Sequence, residues 1–219
     1  MAMRRFGNKR SIQQPTYEEL RTEPARLTGE FAVADVRVEG GDFAGTEGDG
    51  EIERAELAGV NLSETRWRSV TLVDTMLSTV DISNAVWTGV TARRVELVSA
   101  RATGFGVSID LAWDVYIADC RLDYATIRIN RVKGWLVFER CTFAEARIVG
   151  DLSRVLLVDC ELAGAEFDAT NARDCDLRGS RLADARGIST LKGATISPDQ
   201  LVSVADRLAV EAGLRVLVE

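Results

Sequence analysis

The sequence contains no histidine. The commonest general base and the commonest protein metal ligand are therefore missing, which counts against an enzyme. Aromatic residues are only 6 % of the chain, so a core must be built from small and aliphatic side chains. No apolar run approaches the length of a membrane span, about 20 residues. The basic start, Met1 to Arg10, is not followed by an apolar segment, and no signal peptide is expected. The four cysteines lack CxxC spacing. Without an export signal they read as reduced thiols in a cytoplasmic protein. A surplus of bases is missing too: 34 acids stand against 27 bases, a net charge of −7. That sign is opposite to a general nucleic-acid binder, so no direct nucleic-acid contact is expected. No nucleophile–base pair or phosphate loop is visible, and Gly104-Phe105-Gly106 is too short to signal one. No cofactor and no metal are expected.

What the sequence does have is a period of five. Stepping from Ile52 to Leu182 by fives gives 27 positions, of which 25 are apolar; only Thr142 and Arg147 fail. Two residues before most of these stands a small or β-branched residue, as in Ala55, Val60, Thr65, Val70, Val80, Cys120, Cys160 and Cys175. The other three columns are rich in Asp, Glu, Arg, Ser, Thr and Gly. A period of five fits neither a helix nor a flat strand. It requires a chain that turns a corner every five residues, with the large and the small residue inward. Four sides close a square coil of 20 residues, and coils stack at about 4.8 Å.

The 20-residue coil makes predictions of its own. Trp67 and Trp87 are one coil apart and should stack. Cys120, Cys141 and Cys160 are separated by 21 and 19 residues. One residue is therefore added near Arg131–Leu136 and one lost near Val149–Asp151, with a bulge as the simplest account. The three thiols read as an inward hydrophobic column rather than a metal site. Asp110 and Asn130 fall in the inward columns one coil apart and call for hydrogen-bond partners. Asp110, Asp114 and Asp119 point in different directions, which argues against a cation site.

These residues resemble the pentapeptide-repeat family, whose motif is loosely Ala-(Asp/Asn)-Leu-X-X. The best matches are Ala55-Glu56-Leu57-Ala58-Gly59, Val60-Asn61-Leu62-Ser63-Glu64, Val80-Asp81-Ile82-Ser83-Asn84 and Cys175-Asp176-Leu177-Arg178-Gly179. The sequence departs from the motif at Phe105, Asp110, Asn130 and Trp135, where a small residue is expected. The fold expected is all-β: a right-handed quadrilateral parallel β-helix of about eight coils with a short C-terminal α-helical cap. Its parts are an N-terminal extension over 1–30, the β-helix over 31–190, and a helical cap and tail over 191–219.

A solenoid must cover its open ends. Ser197 as N-cap, Pro198 in the first turn, and Leu201, Val204, Ala205, Leu208 and Ala209 at helical spacing predict a helix over about 198–212, stopped by Gly213. Leu214, Val216, Leu217 and Val218 follow as an apolar tail that pairs with the last coil or a second subunit. The resemblance implies a homodimer through this end. At the other end Thr16 and Glu19 suggest a capping box for one helical turn. Residues 1 to about 14 are expected to be mobile. Phe31, Val33, Val36, Val38 and Phe43 read as a first, irregular coil, with Gly40 to Gly50 bulging from it.

One side of the coil, centred on Leu57, Leu77, Leu97, Ile117, Phe138, Leu157 and Leu177, differs from the rest. Its outward residues mix acidic and apolar types, among them Glu56, Glu96, Tyr116, Asp119, Glu139, Leu156, Asp159 and Asp176. Such a side reads either as a partner-binding surface or as one covered by the N-terminal segment or a dimer contact. The resemblance implies a non-enzymatic protein that mimics DNA and protects DNA gyrase or topoisomerase IV from their poisons. The alternative is a structural or scaffold module with another protein partner.

Overall fold

The computed structural model describes residues 2–7 and 10–215. The chain winds as a parallel β-solenoid of about seven turns, one fewer than the sequence suggested, closed by a single C-terminal helix. Ladder partners are mostly 20 residues apart: Trp67 lies beside Trp87, Leu72 beside Ala92 and Leu77 beside Leu97. The four sides are named here by their central residues Leu62, Trp67, Leu72 and Leu77. Each coil donates its backbone hydrogen bonds to its neighbours, as from Leu62 N–H to the Asp81 carbonyl at 2.7 Å.

The corners explain the period of five. Each turns through one residue in the left-handed region, two positions after the large inward residue: Glu64, Ser69, Asp74 and Thr79 have φ of 59, 52, 48 and 55°. Non-glycine residues rarely sit there, and Asp and Asn tolerate it best, which accounts for their density in that column.

The interior is continuous. Leu57, Leu62, Trp67, Ile82, Phe143, Leu152, Leu162 and Leu177 are fully buried, with the small column, Ala55, Val70, Ala85 and Ala165, filling the spaces between them. The two indoles stack, 4.5 Å between centroids and 14° between planes. Phe31 and Phe105 extend this aromatic pile at either end, 5.1 Å from Trp67 and 5.2 Å from Trp87. The apolar filling leaves a void of about 70 Å³, lined by residues that include Leu72, Trp87, Ala92, Phe105 and Phe138.

The ladder offset grows from 20 to 21 between Val132, beside Ala112, and Leu136, beside Val115. It returns from 19 to 20 between Gly150 and Asp151. The extra residue lets Trp135 leave the inward column, while Leu136 is buried.

Several expectations are corrected. Asp110 and Asn130 are not inward: both are exposed, and Ile109 and Ile129 take the interior in their place. A register shift in the ladder around Val90 and Ile109 turns them out. There Asn130 Nδ2 donates to Asp110 Oδ1 at 2.8 Å, so their partners are each other. Gly40 to Gly50 is not a loop: Asp42 pairs with Asn61 and Glu47 with Arg66, and the irregularity is confined to a register shift between Gly48 and Gly50. The glycines of this stretch make room for Phe31: a Cβ on Gly48 would stand 2.9 Å from the Phe31 ring, and one on Gly50 1.9 Å from the Phe31 carbonyl oxygen. Thr16 and Glu19 form no helical turn. The Thr16 N–H donates instead to Asp74 Oδ1 at 3.0 Å.

At the far end, helix α1 spans Pro198–Glu211. Ser197 caps it through a reciprocal capping box with Gln200. Val204 is buried against the last coil, and the Gln200 carboxamide donates to the carbonyls of Leu177 and Ser180, both at 2.6 Å. The Glu211 carboxylate accepts from Gly187 N–H at 2.6 Å and Ser189 N–H at 2.8 Å. Burial opposes its charge, but these bonds outweigh that and lower its pKa. Gly213, at φ 80°, follows the helix. Leu214 is exposed; Val216, Leu217 and Val218 lie outside the described residues.

Candidate functional site

The Leu77 side is where the chain's own N-terminus lies. Strand β1 (Met3–Phe6) and strand β2 (Arg10–Gln13) form an antiparallel hairpin, where a mobile segment was expected. The sequence carries one signal of it, Gly7-Asn8, a dipeptide of the kind that joins hairpin strands. From β2 the chain runs along the rod. Arg10 pairs with Asp176, the Gln13 N–H donates to Asp114 Oδ2 at 3.1 Å, and Thr16 reaches Asp74.

The contact has an apolar centre and a charged rim. Ile12 is 1 % exposed and packs in a cluster with Tyr116, Ala118, Val137 and Leu156, with Phe6, Val98, Trp135 and Val158 around it. Arg4 Nη2 meets both Glu96 oxygens, at 3.1 and 3.2 Å, and its guanidinium lies 3.9 Å from the Tyr116 ring centroid. Gln14 Nε2 also donates to Glu96, at 3.1 Å. Arg10 sits 2.5 Å from Asp176 and 5.1 Å from the Trp135 ring centroid.

Each singled-out residue can now be placed. Glu96, Tyr116, Leu156 and Asp176 are buried, on the side that the hairpin covers. Glu56 is half-buried and paired with Arg37 at 2.9 Å. Glu139 is half-buried and accepts from the Tyr116 hydroxyl. Asp119 and Asp159 remain exposed, Asp119 in a two-pronged pair with Arg140 at 2.7 and 2.8 Å. The structure thus brings the apolar members together under the hairpin and leaves Asp119 and Asp159 at the corner.

Burial, reinforced by the Glu139 carboxylate, pushes Tyr116 up to about 12. For Asp176, burial works against the charge, but hydrogen bonds from Arg178 and Arg10 prevail and hold it at about 2. The cysteines of the interior column donate to backbone carbonyls, as Cys120 Sγ does to Ala118 O at 3.1 Å. Burial raises Cys175 to about 12. In the column, hydrogen bonding to Cys141 together with burial raises Cys120 and Cys160, while the bonds from those two thiols lower Cys141 between them. Among the described residues no cluster of Cys, Asp or Glu has the arrangement of a metal site, and no helix is long and apolar enough to cross a membrane.

The family model for pentapeptide repeats matches residues 151–186, with 8 copies of the repeat. Those residues are pentapeptide repeats. Among solved structures, the chain resembles a trypsin-treated variant of QnrB1, a plasmid-mediated fluoroquinolone resistance protein. The two share 22 % identity over 90 % of this chain and 95 % of the other, with a TM-score of 0.44. It also resembles HetL, a pentapeptide-repeat protein involved in heterocyst differentiation regulation from the cyanobacterium Nostoc sp. Identity there is 14 % over 83 % of this chain and 89 % of HetL, with a TM-score of 0.32. No curated protein sequence matches significantly.

Proposed function

We propose that this chain is a non-enzymatic binding protein whose partner is another protein. One observation carries the reading. The interior is filled with hydrophobic side chains from Leu27 to Val204, so the chemistry the rod offers lies in outward columns held at fixed spacing by the ladder. A rigid surface of this kind binds with little loss of conformational entropy.

The partner to test first is DNA gyrase or topoisomerase IV, with the rod acting as a DNA mimic and shielding the enzyme from its poisons. The family resemblance and the acidic balance support it. Residues 31–190 hold 18 bases against 26 acids, a net of −8. Seven coils at ~4.8 Å make a rod of about 34 Å, over which B-DNA would carry about 20 charges. Mimicry on this scale is local. The hairpin covers much of the Leu77 side, so Asp119 and Asp159 are the carboxylates there that meet a partner unless the hairpin lifts.

The test is gyrase supercoiling with and without a fluoroquinolone, using the whole chain and a variant lacking residues 1–14. Inhibition or protection at micromolar protein supports a topoisomerase partner, and gain of either on removal of the hairpin assigns it to the covered side. Neither effect with either protein rules this partner out and leaves the scaffold reading. Charge reversal at Asp119 and Asp159 should weaken protection; unchanged protection moves the site elsewhere. The exposed Leu201, Val202, Val210 and Leu214 support a homodimer through the C-terminal end. Sedimentation of Val202→Glu against the parent checks this, with a shift to monomer expected.

A further inference from the structure

Over much of the rod, charge is neutralised between neighbouring coils. Arg54 pairs with Asp35, Arg101 with Asp81, Arg140 with Asp119 and Arg181 with Glu161. The Leu72 side breaks this pattern. One outward column reads Arg93, Trp113, Lys133, Ser153, Arg173, and Arg131 and Arg154 stand beside it. All five cations are exposed, and none forms an ion pair among the described residues.

The arrangement is held in place. The Arg93 guanidinium lies 4.8 Å and the Lys133 ammonium 5.4 Å from the Trp113 ring centroid. Arg154 Nη1 donates to the Lys133 carbonyl at 2.7 Å. The carboxylates on this side are engaged or at its margins: Asp114 accepts from Gln13 and Trp135 N–H, Asp151 from Ser153 N–H, and Asp174 is a corner residue. From Arg93 to Arg173 is four coil steps, a stripe of about 19 Å. Like charges collected on a rigid ladder repel one another, while the rest of an acidic protein could neutralise them. Leaving them unpaired marks a surface that meets an anion.

The kind of anion follows from what the stripe offers. Of the large exposed hydrophobic side chains among the described residues, Val86, Tyr124, Leu201, Val202, Val210 and Leu214 lie elsewhere, and Met3 of the hairpin alone borders the stripe, in one depression with Trp113, Lys133 and Arg154. The Trp113 ring is already engaged by two cations. A folded acidic partner needs an apolar anchor that can be desolvated. A phosphodiester backbone needs only exposed cations in a row. We infer that the Leu72 side is a nucleic-acid surface that grips phosphates and does not read bases. The net charge, which argued against nucleic acid, averages over the rod and conceals this stripe. The surface is distinct from the Leu77 side and does not depend on a topoisomerase partner.

The test is fluorescence anisotropy with a labelled duplex of about 20 base pairs and a single strand of equal length, in about 50 mM salt. Binding in the micromolar range is expected. With five phosphate contacts, the slope of log K against log salt should approach about −4.5 for the duplex. Arg93→Ser, Lys133→Ser and Arg173→Ser together should weaken binding at least about tenfold and reduce the slope by about 3. Lys133→Gln alone should cost about twofold or more, and it reads the same surface should the triple variant fold poorly. Arg66→Ser with Arg68→Ser, on the Trp67 side, should leave binding within about twofold. Absence of binding at about 50 μM protein, or unchanged binding by both stripe variants, overturns the assignment. Polyglutamate that displaces the labelled strand as well as unlabelled DNA does also overturns it, and makes the stripe a site for an acidic protein.

Discussion

Removing the Ile12 side chain should release the hairpin without unfolding the rod. Among the described residues of the hairpin Ile12 alone is fully buried, seated among Tyr116, Ala118, Val137 and Leu156. Replacing a buried Ile by Ala costs about 2–4 kcal/mol, from lost burial plus the cavity left behind. Here the loss falls on a local equilibrium. The hairpin's strands pair with each other and not with the ladder, so the rod keeps its backbone hydrogen bonds when the hairpin lifts. At a factor of ten per 1.4 kcal/mol, the open population rises about 30- to 700-fold. Trypsin cleavage at Arg4, Arg5 and Arg10 tracks that population when opening is fast relative to cutting. Ile12→Ala should therefore speed these cuts by at least about 30-fold, while the rod's main thermal transition moves by less than about 2 °C. Unchanged cleavage would show that the hairpin is held by its charged rim alone. A fall of the main transition by the full amount would show that hairpin and rod unfold as one unit.

Other predictions concern single contacts. Asp176 titrates at about 2 in the fold against an ordinary value of 3.8. Its stabilising contribution, up to about 2 kcal/mol, is present above about pH 4 and lost as pH falls through 2. Trp135 fluorescence should report hairpin release in that window, and Asp176→Asn should remove the transition. Ala92 lines the apolar void, so Ala92→Val should raise stability by about 1 kcal/mol; a lower denaturation midpoint would mean that the void cannot accept the methyls. Gln200→Ala leaves the Leu177 and Ser180 carbonyls without their donor and breaks the capping box. It should cost about 2 kcal/mol, seen as faster amide exchange over residues 198–211 with the middle coils unchanged.

The site was only half legible from the sequence. The acidic and apolar character of the Leu77 side follows from sorting residues by a known coil, and cover by the N-terminal segment was one of the two readings left open. Which of them holds depends on where the two short strands Met3–Phe6 and Arg10–Gln13 go, and sequences so short carry no address. The basic stripe escaped for a related reason. Arg93, Lys133 and Arg173 are 40 residues apart in sequence and look like isolated surface charges until the coils are laid on one another. Asp110 and Asn130 were misplaced because a ladder shift near Val90 and Ile109 swaps inward for outward within one step, and composition does not register it.

The sequence alone determined the coil. A five-residue period can be buried in only one way, so the inward columns, the aromatic stack, the positions of the inserted and deleted residues, and the capping helix all follow from local pattern. The tertiary structure alone decided which charges meet. Pairing across coils, the docking of the hairpin and the stripe left unpaired depend on distances between residues about 20 to 170 positions apart. Electrostatic and packing energies are functions of those distances, and order along the chain does not contain them.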